Sequence, residues 1–382
     1  MKKLKKFVLV PDSFKGTLSS ERICELLSDK IKSVFPDAEI VSLPVADGGE
    51  GTADCFLTAQ KGEKVFTRAS NPFGEEIDCY YARFNETAVI ETAQTAGLPL
   101  VGDRKNPLTA STVGLGEQIL HAIKGGAKRI IVGLGGSCTN DFGCGAAATL
   151  GVKFYDECGR VFVPTGGTLN DVVRVDVSGI AEELKNGKVK LIAMCDVDNP
   201  PYGKNGAARI FAPQKGANEK TVLVLDDGVK HLCDVIRRDL NKDYSRLKGG
   251  GAAGALGAGL KAFFGAELKS GIDTVLDAVG FDSVIADADC VITGEGKIDG
   301  QSVRGKAVSG VATRAKKRGV PVVAVVGGAE GDMSALYDAG VTAVFPINRL
   351  PLDFSVSRFQ SETNLCRTAE DVLRLIKAFV NF

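Results

Sequence analysis

The order of elements at the two ends of the 382-residue chain is the feature that most constrains its fold. Near the start, the apolar run Phe7–Val10 leads into the glycine-containing loop PDSFKGTLS. A helix is predicted next, because apolar residues recur every four positions from Ile23 to Ile31. The same order returns near the end, where the strands DCVITG, VPVVAVVGG and VTAVFP alternate with helices. Alternation of this kind is typical of a parallel sheet covered by helices.

With EIVSLPVA as the second strand, these segments predict an α/β fold class, a flavodoxin-like doubly wound parallel sheet in the order 2-1-3-4-5. The middle of the chain differs, because EKVFTRAS, IDCYYARF and TAVIETA follow one another closely and indicate antiparallel pairing. Further strands and helices come after them. We therefore predict a second α/β domain with a mixed sheet, residues 64–283, inserted between 1–63 and 284–382 of the first.

The composition argues against several functional classes. Lys plus Arg and Asp plus Glu both number 47, so no basic surface for nucleic acid or an anionic membrane is expected. No apolar run is long enough for a signal peptide or a membrane span, which predicts a cytoplasmic protein. Ten cysteines without a CxxC pair are expected to be reduced core thiols. Two histidines give little support to a Ser-His-Asp hydrolase or a multi-histidine metal enzyme.

Three loops of the first domain carry groups suited to phosphate, carboxylate or Mg²⁺. In the predicted strand order, ligands bind at the carboxyl ends of the first and third strands, where the order reverses. The candidate side chains of these loops are Ser13, Lys15, Asp47, Glu295, Lys297 and Lys306. Taken singly, each loop is equally compatible with a tight connection between strand and helix.

The middle domain has two further candidate loops. The strand RIIVGLGG runs into a polar loop, and a helix is predicted to begin at Asp141. Backbone N–H groups at such a start bind anions, which suits a nucleotide phosphate, whereas the alternative is a helix that Asp141 merely caps. The strand KLIAMCDV leads to Asp196, Asp198 and Asn199, which indicates a metal or general-base site or, alternatively, a turn before two prolines.

A glycine-rich segment, GGGAAG, has the GxGxxG spacing of dinucleotide-binding loops. It follows a polar segment instead of a strand, so it fails the structural context of that motif. Close packing of a helix against a ligand loop or a neighbouring helix is the expectation for this segment.

Eight motifs, in order along nearly the whole chain, resemble the type-1 glycerate kinase family. They are PDSFKGTLS, PVADGGEGT, AVIETAQTAGLPL, GLGGSCTND, CDVDNP, APQKGA, GGAAGALG and TGEGKIDGQSVRGK. The resemblance implies phosphorylation of D-glycerate with ATP and Mg²⁺, and bacterial-type members imply 2-phosphoglycerate as product. The chain departs from the family pattern at Cys138, where Ala is usual, and at Lys297, where Arg is common and would offer a bidentate fork.

The resemblance also assigns expected roles. Asp196 is expected to be the base that accepts the glycerate hydroxyl proton, with Asp47 as the alternative. The residues expected to act in catalysis are Asp196, Lys15, Asp47 and Lys306. Those expected to bind glycerate are Ser13, Lys15, Asp47, Lys297 and Gln301. Those expected to contact nucleotide phosphates are Gly135, Gly136, Ser137 and Asn140, and those expected to bind Mg²⁺ are Asp198 and Glu295.

Other functions stay open from the sequence. One is a kinase that gives 3-phosphoglycerate or acts on another small hydroxy acid, and another is a metabolite sensor without catalysis. Two chain crossings between the domains predict hinge closure around the ligands. The oligomeric state is not indicated.

Overall fold

The structure is a computed structural model that describes residues 4–14, 16–45, 48–49, 51–298 and 307–380. Its strands are β1 (Lys6–Pro11), β2 (Glu39–Ser42), β3 (Glu63–Ser70), β4 (Glu76–Phe84), β5 (Thr87–Glu91), β6 (Arg129–Gly133), β7 (Lys153–Tyr155), β8 (Val161–Phe162), β9 (Arg174–Asp176), β10 (Lys190–Met194), β11 (Glu267–Lys269), β12 (Cys290–Gly294), β13 (Lys297–Ile298), β14 (Val322–Val326), β15 (Gly328–Ala329) and β16 (Val341–Pro346). Its helices are α1 (Ser20–Val34), α2 (Thr52–Ala59), α3 (Ala93–Ala96), α4 (Val113–Lys124), α5 (Cys144–Thr149), α6 (Glu182–Lys185), α7 (Ala207–Phe211), α8 (Glu219–Leu240), α9 (Ala252–Phe264), α10 (Gly271–Ala278), α11 (Phe281–Val284), α12 (Ala307–Lys317), α13 (Ser334–Ala339), α14 (Phe354–Ser357) and α15 (Ser361–Val380).

The chain divides into two compact units. Unit 1 comprises Met1–Asp47 and Gly271–Phe382, and unit 2 comprises Gly48–Ser270. The boundaries predicted from the sequence differ from this division, because they placed 48–63 with the first domain and 271–283 with the second. Within unit 2, α2 packs against β4 and β5, and within unit 1, α10 packs against α12. These tertiary contacts are not visible in the periodicity of either segment.

Unit 1 is built on a five-stranded sheet in the order β16-β14-β12-β1-β2, and every neighbouring pair is parallel. Counted within the unit, this is the order 2-1-3-4-5 that the sequence predicts. Helix α1 begins after Ser19, whose side chain accepts from the Arg22 N–H, and it buries Ile23, Leu27 and Ile31. These residues share a core with the last helix, α15, and with β1 and β12.

Unit 2 is built on a separate mixed sheet in the order β11-β10-β6-β5-β4-β3. The pairs β3–β4 and β4–β5 are antiparallel, as predicted, and β5, β6, β10 and β11 run parallel. A small sheet of β8, β7 and β9 and the long helix α8 complete the unit. The carboxyl ends of its parallel strands therefore meet at one edge.

Helices α4 and α5 pack closely because Gly116 has no side chain. A Cβ at this position would lie 2.7 Å from the Thr149 Cβ and 2.8 Å from the Ala146 Cα. Both distances are shorter than carbon atoms tolerate, so the helices would have to separate.

We expect Gly116→Ala to lower the free energy of unfolding by about 1–3 kcal/mol through overpacking. Thermal and urea unfolding would measure it. Gly328→Ala is the matched control, because a Cβ there would meet no atom within 4 Å. An equal loss of stability in both variants would contradict the proposed helix contact.

The glycine-rich segment forms the start of α9 and has unusual backbone geometry. Ala253, Gly254 and Ala255 have φ values of 54°, 68° and 68°, in the left-handed region that alanine rarely adopts. A Cβ on Gly254 would lie 2.1 Å from the Thr139 carbonyl oxygen. The Gly254 carbonyl in turn accepts the Phe142 N–H at 3.1 Å. The predicted close packing of this segment is therefore observed, and its partner is the loop that contains Thr139.

The ten cysteines form no disulfide, and most are buried, as the sequence predicts. Among the described residues, no helix combines the length and the apolar character that crossing a bilayer requires.

Candidate active site

In unit 2, the loop after β6 is fixed by a buried carboxylate. Asp141 is 0% exposed and accepts four hydrogen bonds, from the N–H and Oγ1 of Thr112 and from the N–H groups of Gly143 and Gly145. Burial raises the pKa of the Asp141 carboxyl, although these hydrogen bonds act in the opposite direction. Asp141 therefore links the segment at Thr112 to the start of α5, and both of its carboxylate oxygens are used in these contacts.

Helix α5 begins at Cys144, three residues later than predicted, and has only six residues. The chain between Asp141 and Cys144 is not helical, because Phe142 and Gly143 have φ values of 58° and 74°. The predicted start of the helix at Asp141 is therefore wrong. Any anion site in this region depends on the loop itself.

Gly135 lies where a second loop crosses the end of β6. Its N–H donates to the Gly48 carbonyl at 3.0 Å, and a Cβ would lie 2.5 Å from the Gly49 Cα. Glycine is thus required here for close passage of the chain. Since its amide hydrogen already has an acceptor, any contact of Gly135 with a phosphate would not use its N–H.

The next part of the loop contains polar groups that the described residues leave unsatisfied. Asn140 is 0% exposed, and neither atom of its side-chain amide has a hydrogen-bond partner among the described residues. The same holds for the Thr139 Oγ1. Gly136 has a φ of 73°, and within the described part of the chain its N–H also donates to no acceptor. Buried polar groups without partners are costly, so this loop is suited to a polar ligand.

Lys215 is a site residue that the sequence did not identify. It lies in the motif APQKGA, at the end of a 3₁₀ turn over Pro213–Lys215, and is only 2% exposed. Its Nζ donates to the Ser137 Oγ at 2.9 Å and to the Thr139 carbonyl at 2.7 Å. Burial lowers the pKa of the ammonium to about 8. Lysines are rarely buried, so the motif APQKGA by itself did not indicate that this side chain lies inside the unit.

The loops after β5 and β10 begin beside this loop. Glu91, the last residue of β5, and Met194, the last of β10, are both paired in register with Gly133 of β6. Asp196 follows Met194 by two residues, is half-buried, and its Oδ1 accepts from the Ser270 Oγ at 3.1 Å. Asp198 is exposed. The structure thus places the predicted residues of unit 2 on loops that leave one edge of its sheet.

Glu91, like Asp141, has a buried carboxylate. The sequence did not identify Glu91 as a candidate residue. It is 1% exposed, and one oxygen accepts the Ala53 N–H at 2.7 Å. Its other oxygen has no hydrogen-bond partner among the described residues. Burial raises the pKa of this carboxyl, against the effect of the Ala53 N–H. In the sequence, its position at the end of a predicted strand was the one feature that could have indicated a site residue.

In unit 1, the carboxyl ends of four strands surround a cavity of about 750 Å³. Pro11 pairs with Gly294, so the next residues, Asp12 and Glu295, leave adjacent strands side by side. Both are largely buried. Together with Ser13, they line the cavity, which agrees with the predicted position of a ligand site in this sheet.

Lys297 also lines this cavity, from the short strand β13. Its Nζ forms an ion pair with the Glu330 Oε2 at 2.6 Å, and both side chains are mostly exposed. Other lining residues that the sequence did not identify include Asn348 and Arg358. The predicted residues Lys15, Asp47, Gln301 and Lys306 lie outside the described residues.

A family model described as the glycerate kinase family matches residues 7–377. The chain belongs to the glycerate kinase family. It is therefore a phosphotransferase.

Two named relatives and one crystal structure match this chain over nearly its whole length. The chain is 43% identical over 377 residues to glycerate kinase from Bacillus subtilis (strain 168), across 97% of this chain and 98% of that protein. It is 40% identical over 370 residues to glycerate 2-kinase from Escherichia coli (strain K12), across 96% and 97%. A crystal structure from Salmonella typhimurium LT2 matches with a TM-score of 0.86 and 36% identity, over 100% of both chains. The family expected from the sequence motifs is thus confirmed.

Proposed function

We propose that this glycerate kinase transfers the γ-phosphoryl group of ATP to the 2-hydroxyl of D-glycerate, giving 2-phosphoglycerate and ADP. The observation that carries the proposal is the loop Ser137–Asn140, in which the Thr139 hydroxyl and the Asn140 side-chain amide are buried without partners among the described residues. Phosphoryl transfer asks a protein mainly to position its substrates and to neutralise charge, and such a loop provides fixed donors. The full-length similarity to the Escherichia coli protein named glycerate 2-kinase supports the 2-position.

In this proposal, unit 2 binds the nucleotide phosphates through Gly136, Ser137 and Asn140. Gly135 contributes in another way: because it has no side chain, the backbone at Gly48 can lie close to the end of β6. We also propose that unit 2 is an insertion in a flavodoxin-like domain, for which the strand order of unit 1 is the support.

Asp196 is proposed as the general base for the glycerate hydroxyl. Its position after a buried strand and its hydrogen bond from Ser270 hold the carboxylate in a defined orientation. Asp47, which lies outside the described part of the chain, is the alternative general base. A positioned base contributes about 10²- to 10⁴-fold to such proton transfers.

Mg²⁺ is proposed as the metal, with Asp198 of unit 2 or Glu295 of unit 1 as the protein ligand. Within the described residues there is no group of three or more His, Cys, Asp or Glu side chains that could hold a metal. Mg²⁺ commonly binds through one or two carboxylates and keeps water and phosphate ligands. Bound Mg²⁺ would neutralise charge on the phosphoryl group.

For glycerate binding, we propose Ser13 and Lys297, which line the unit 1 cavity. Further proposed residues lie outside the described part of the chain; they are Lys15, Asp47, Gln301 and Lys306. Ammonium groups suit the glycerate carboxylate and the transferred phosphoryl group. Since the Lys297–Glu330 ion pair is exposed, it contributes little stability, and Lys297 can exchange this partner for a ligand at small cost.

The decisive experiment incubates the purified chain with D-glycerate and Mg-ATP, coupled through enolase without a phosphoglycerate mutase. We expect phosphoenolpyruvate to form, because enolase accepts only 2-phosphoglycerate. L-glycerate and excess EDTA are the controls. Signal that requires added mutase would show 3-phosphoglycerate as product instead. No product from D-glycerate, with turnover of another hydroxy acid, would contradict the proposed substrate.

A further inference from the structure

The side chain of Lys215 is buried and forms no ion pair with any carboxylate of the described residues. No carboxylate of the described residues lies within 4.0 Å of its Nζ, and both of its hydrogen-bond acceptors, on Ser137 and Thr139, are uncharged oxygens. The ammonium group has three N–H donors, and two of them are used here. One donor therefore stays available for another acceptor.

Within the described part of the chain, the titratable groups that act on this cation do not form an ion pair with it. Those that act on it electrostatically are Cys138 and Asp141. Burial raises the pKa of the Cys138 thiol to about 12, so it stays uncharged near neutral pH. Asp141 already accepts hydrogen bonds on both carboxylate oxygens, from Thr112, Gly143 and Gly145. Burying a charge without a partner is unfavourable, so an anion is expected to complete the site.

The neighbouring groups favour an anion with several oxygens. Lys215 contacts the same loop as the unsatisfied Asn140 amide and Thr139 hydroxyl. The N–H groups of Ser137 and Asn140 also donate to no acceptor within the described part of the chain. Several donors around one cation suit a phosphate better than a single carboxylate.

We propose that Lys215 is the buried cation that binds a phosphate of the nucleotide, with Asn140 and the adjacent loop amides completing the oxyanion site. The inference rests on the proposed function, because it deepens the assignment of ATP to unit 2. In the alternative, Lys215 only fixes the loop through its two hydrogen bonds. The alternative leaves the charge unneutralised, and a buried neutral side chain would hold the loop at lower cost.

Calorimetric titration of the full chain with Mg-ADP tests the proposal. We expect Lys215→Met to weaken Mg-ADP binding at least about 10-fold, the scale of losing one charge-assisted contact. The KM for ATP should rise similarly, while the KM for D-glycerate stays within about twofold, since one ligand alone uses the site. Lys220→Met is the matched control, because Lys220 is exposed in the neighbouring helix α8. Unchanged Mg-ADP affinity, or a rise confined to the glycerate KM, would overturn the proposal.

A second measurement uses the unaltered chain and does not depend on folding of the variant. A phosphate beside Lys215 raises the pKa of its ammonium, so Mg-ADP binding near pH 8 should take up a proton from solution. Titrations in buffers with different ionisation enthalpies measure this uptake, and Lys215→Arg should abolish it because arginine stays charged. No proton uptake by the unaltered chain, or equal proton uptake by Lys215→Arg, would contradict the proposal. Absence of enolase signal from the unaltered chain would instead count against the proposed function, and Mg-ADP binding would still test Lys215.

Discussion

Replacing Asp196 by asparagine is expected to lower kcat for D-glycerate phosphorylation by about 10²- to 10⁴-fold, the range for loss of a positioned base. Asparagine keeps the size of the side chain but cannot accept the hydroxyl proton. The KM values and Mg-ADP affinity should change little, because the proton is transferred only during reaction. Steady-state kinetics and Mg-ADP titration would measure these quantities separately.

Two variants near Asp196 separate its role from general damage. Ser270→Ala removes the hydroxyl that donates to the Asp196 carboxylate, so we expect a smaller loss of kcat than in Asp196→Asn. Asp198→Asn should change mainly the Mg²⁺ concentration for half-maximal rate, because Asp198 is a proposed metal ligand. If Asp196→Asn kept most of kcat with both substrates bound, Asp47 would become the preferred base.

The second large effect is expected at Asp141, where alanine should lower the free energy of unfolding by about 3–5 kcal/mol, as for breaking a buried charge network. The substitution leaves the Thr112 hydroxyl and three backbone N–H groups without their acceptor inside unit 2. Urea unfolding followed by circular dichroism would measure the loss. Lower activity should accompany it, because the loop from Ser137 to Asn140 is held by the same contacts.

Asp156 provides a matched control for that substitution. Its carboxylate also accepts two backbone N–H groups, from Cys158 and Arg160, but in a turn at the surface. Water can replace it there, so Asp156→Ala should lower Tm much less than Asp141→Ala. Similar losses in the two variants would show that burial of the Asp141 network is not what makes it important.

The sequence predicted the features of this fold that depend on local patterns. The order of the five parallel strands followed from apolar runs separated by helices, and Asp196 and Glu295 were identified because polar residues directly followed buried strands. Lys215 was not identified as a site residue, since its burial depends on Ser137 and Thr139, more than 70 residues away in the chain. The late start of α5 was missed for a similar reason. Asp141 looked like a helix cap, but Thr112 and the turn at Phe142 engage it instead.

The contact between Gly254 and the loop at Thr139 limits how this chain can vary in evolution. No side chain fits at Gly254, because the Thr139 carbonyl occupies the position of a Cβ. The alanines on either side hold a backbone conformation that is unfavourable by about 1–2 kcal/mol per residue. Glycine at 253 or 255 would relieve this but would also loosen the support behind Asn140. We therefore expect related sequences to change these two segments together, although more than 100 residues separate them in the chain.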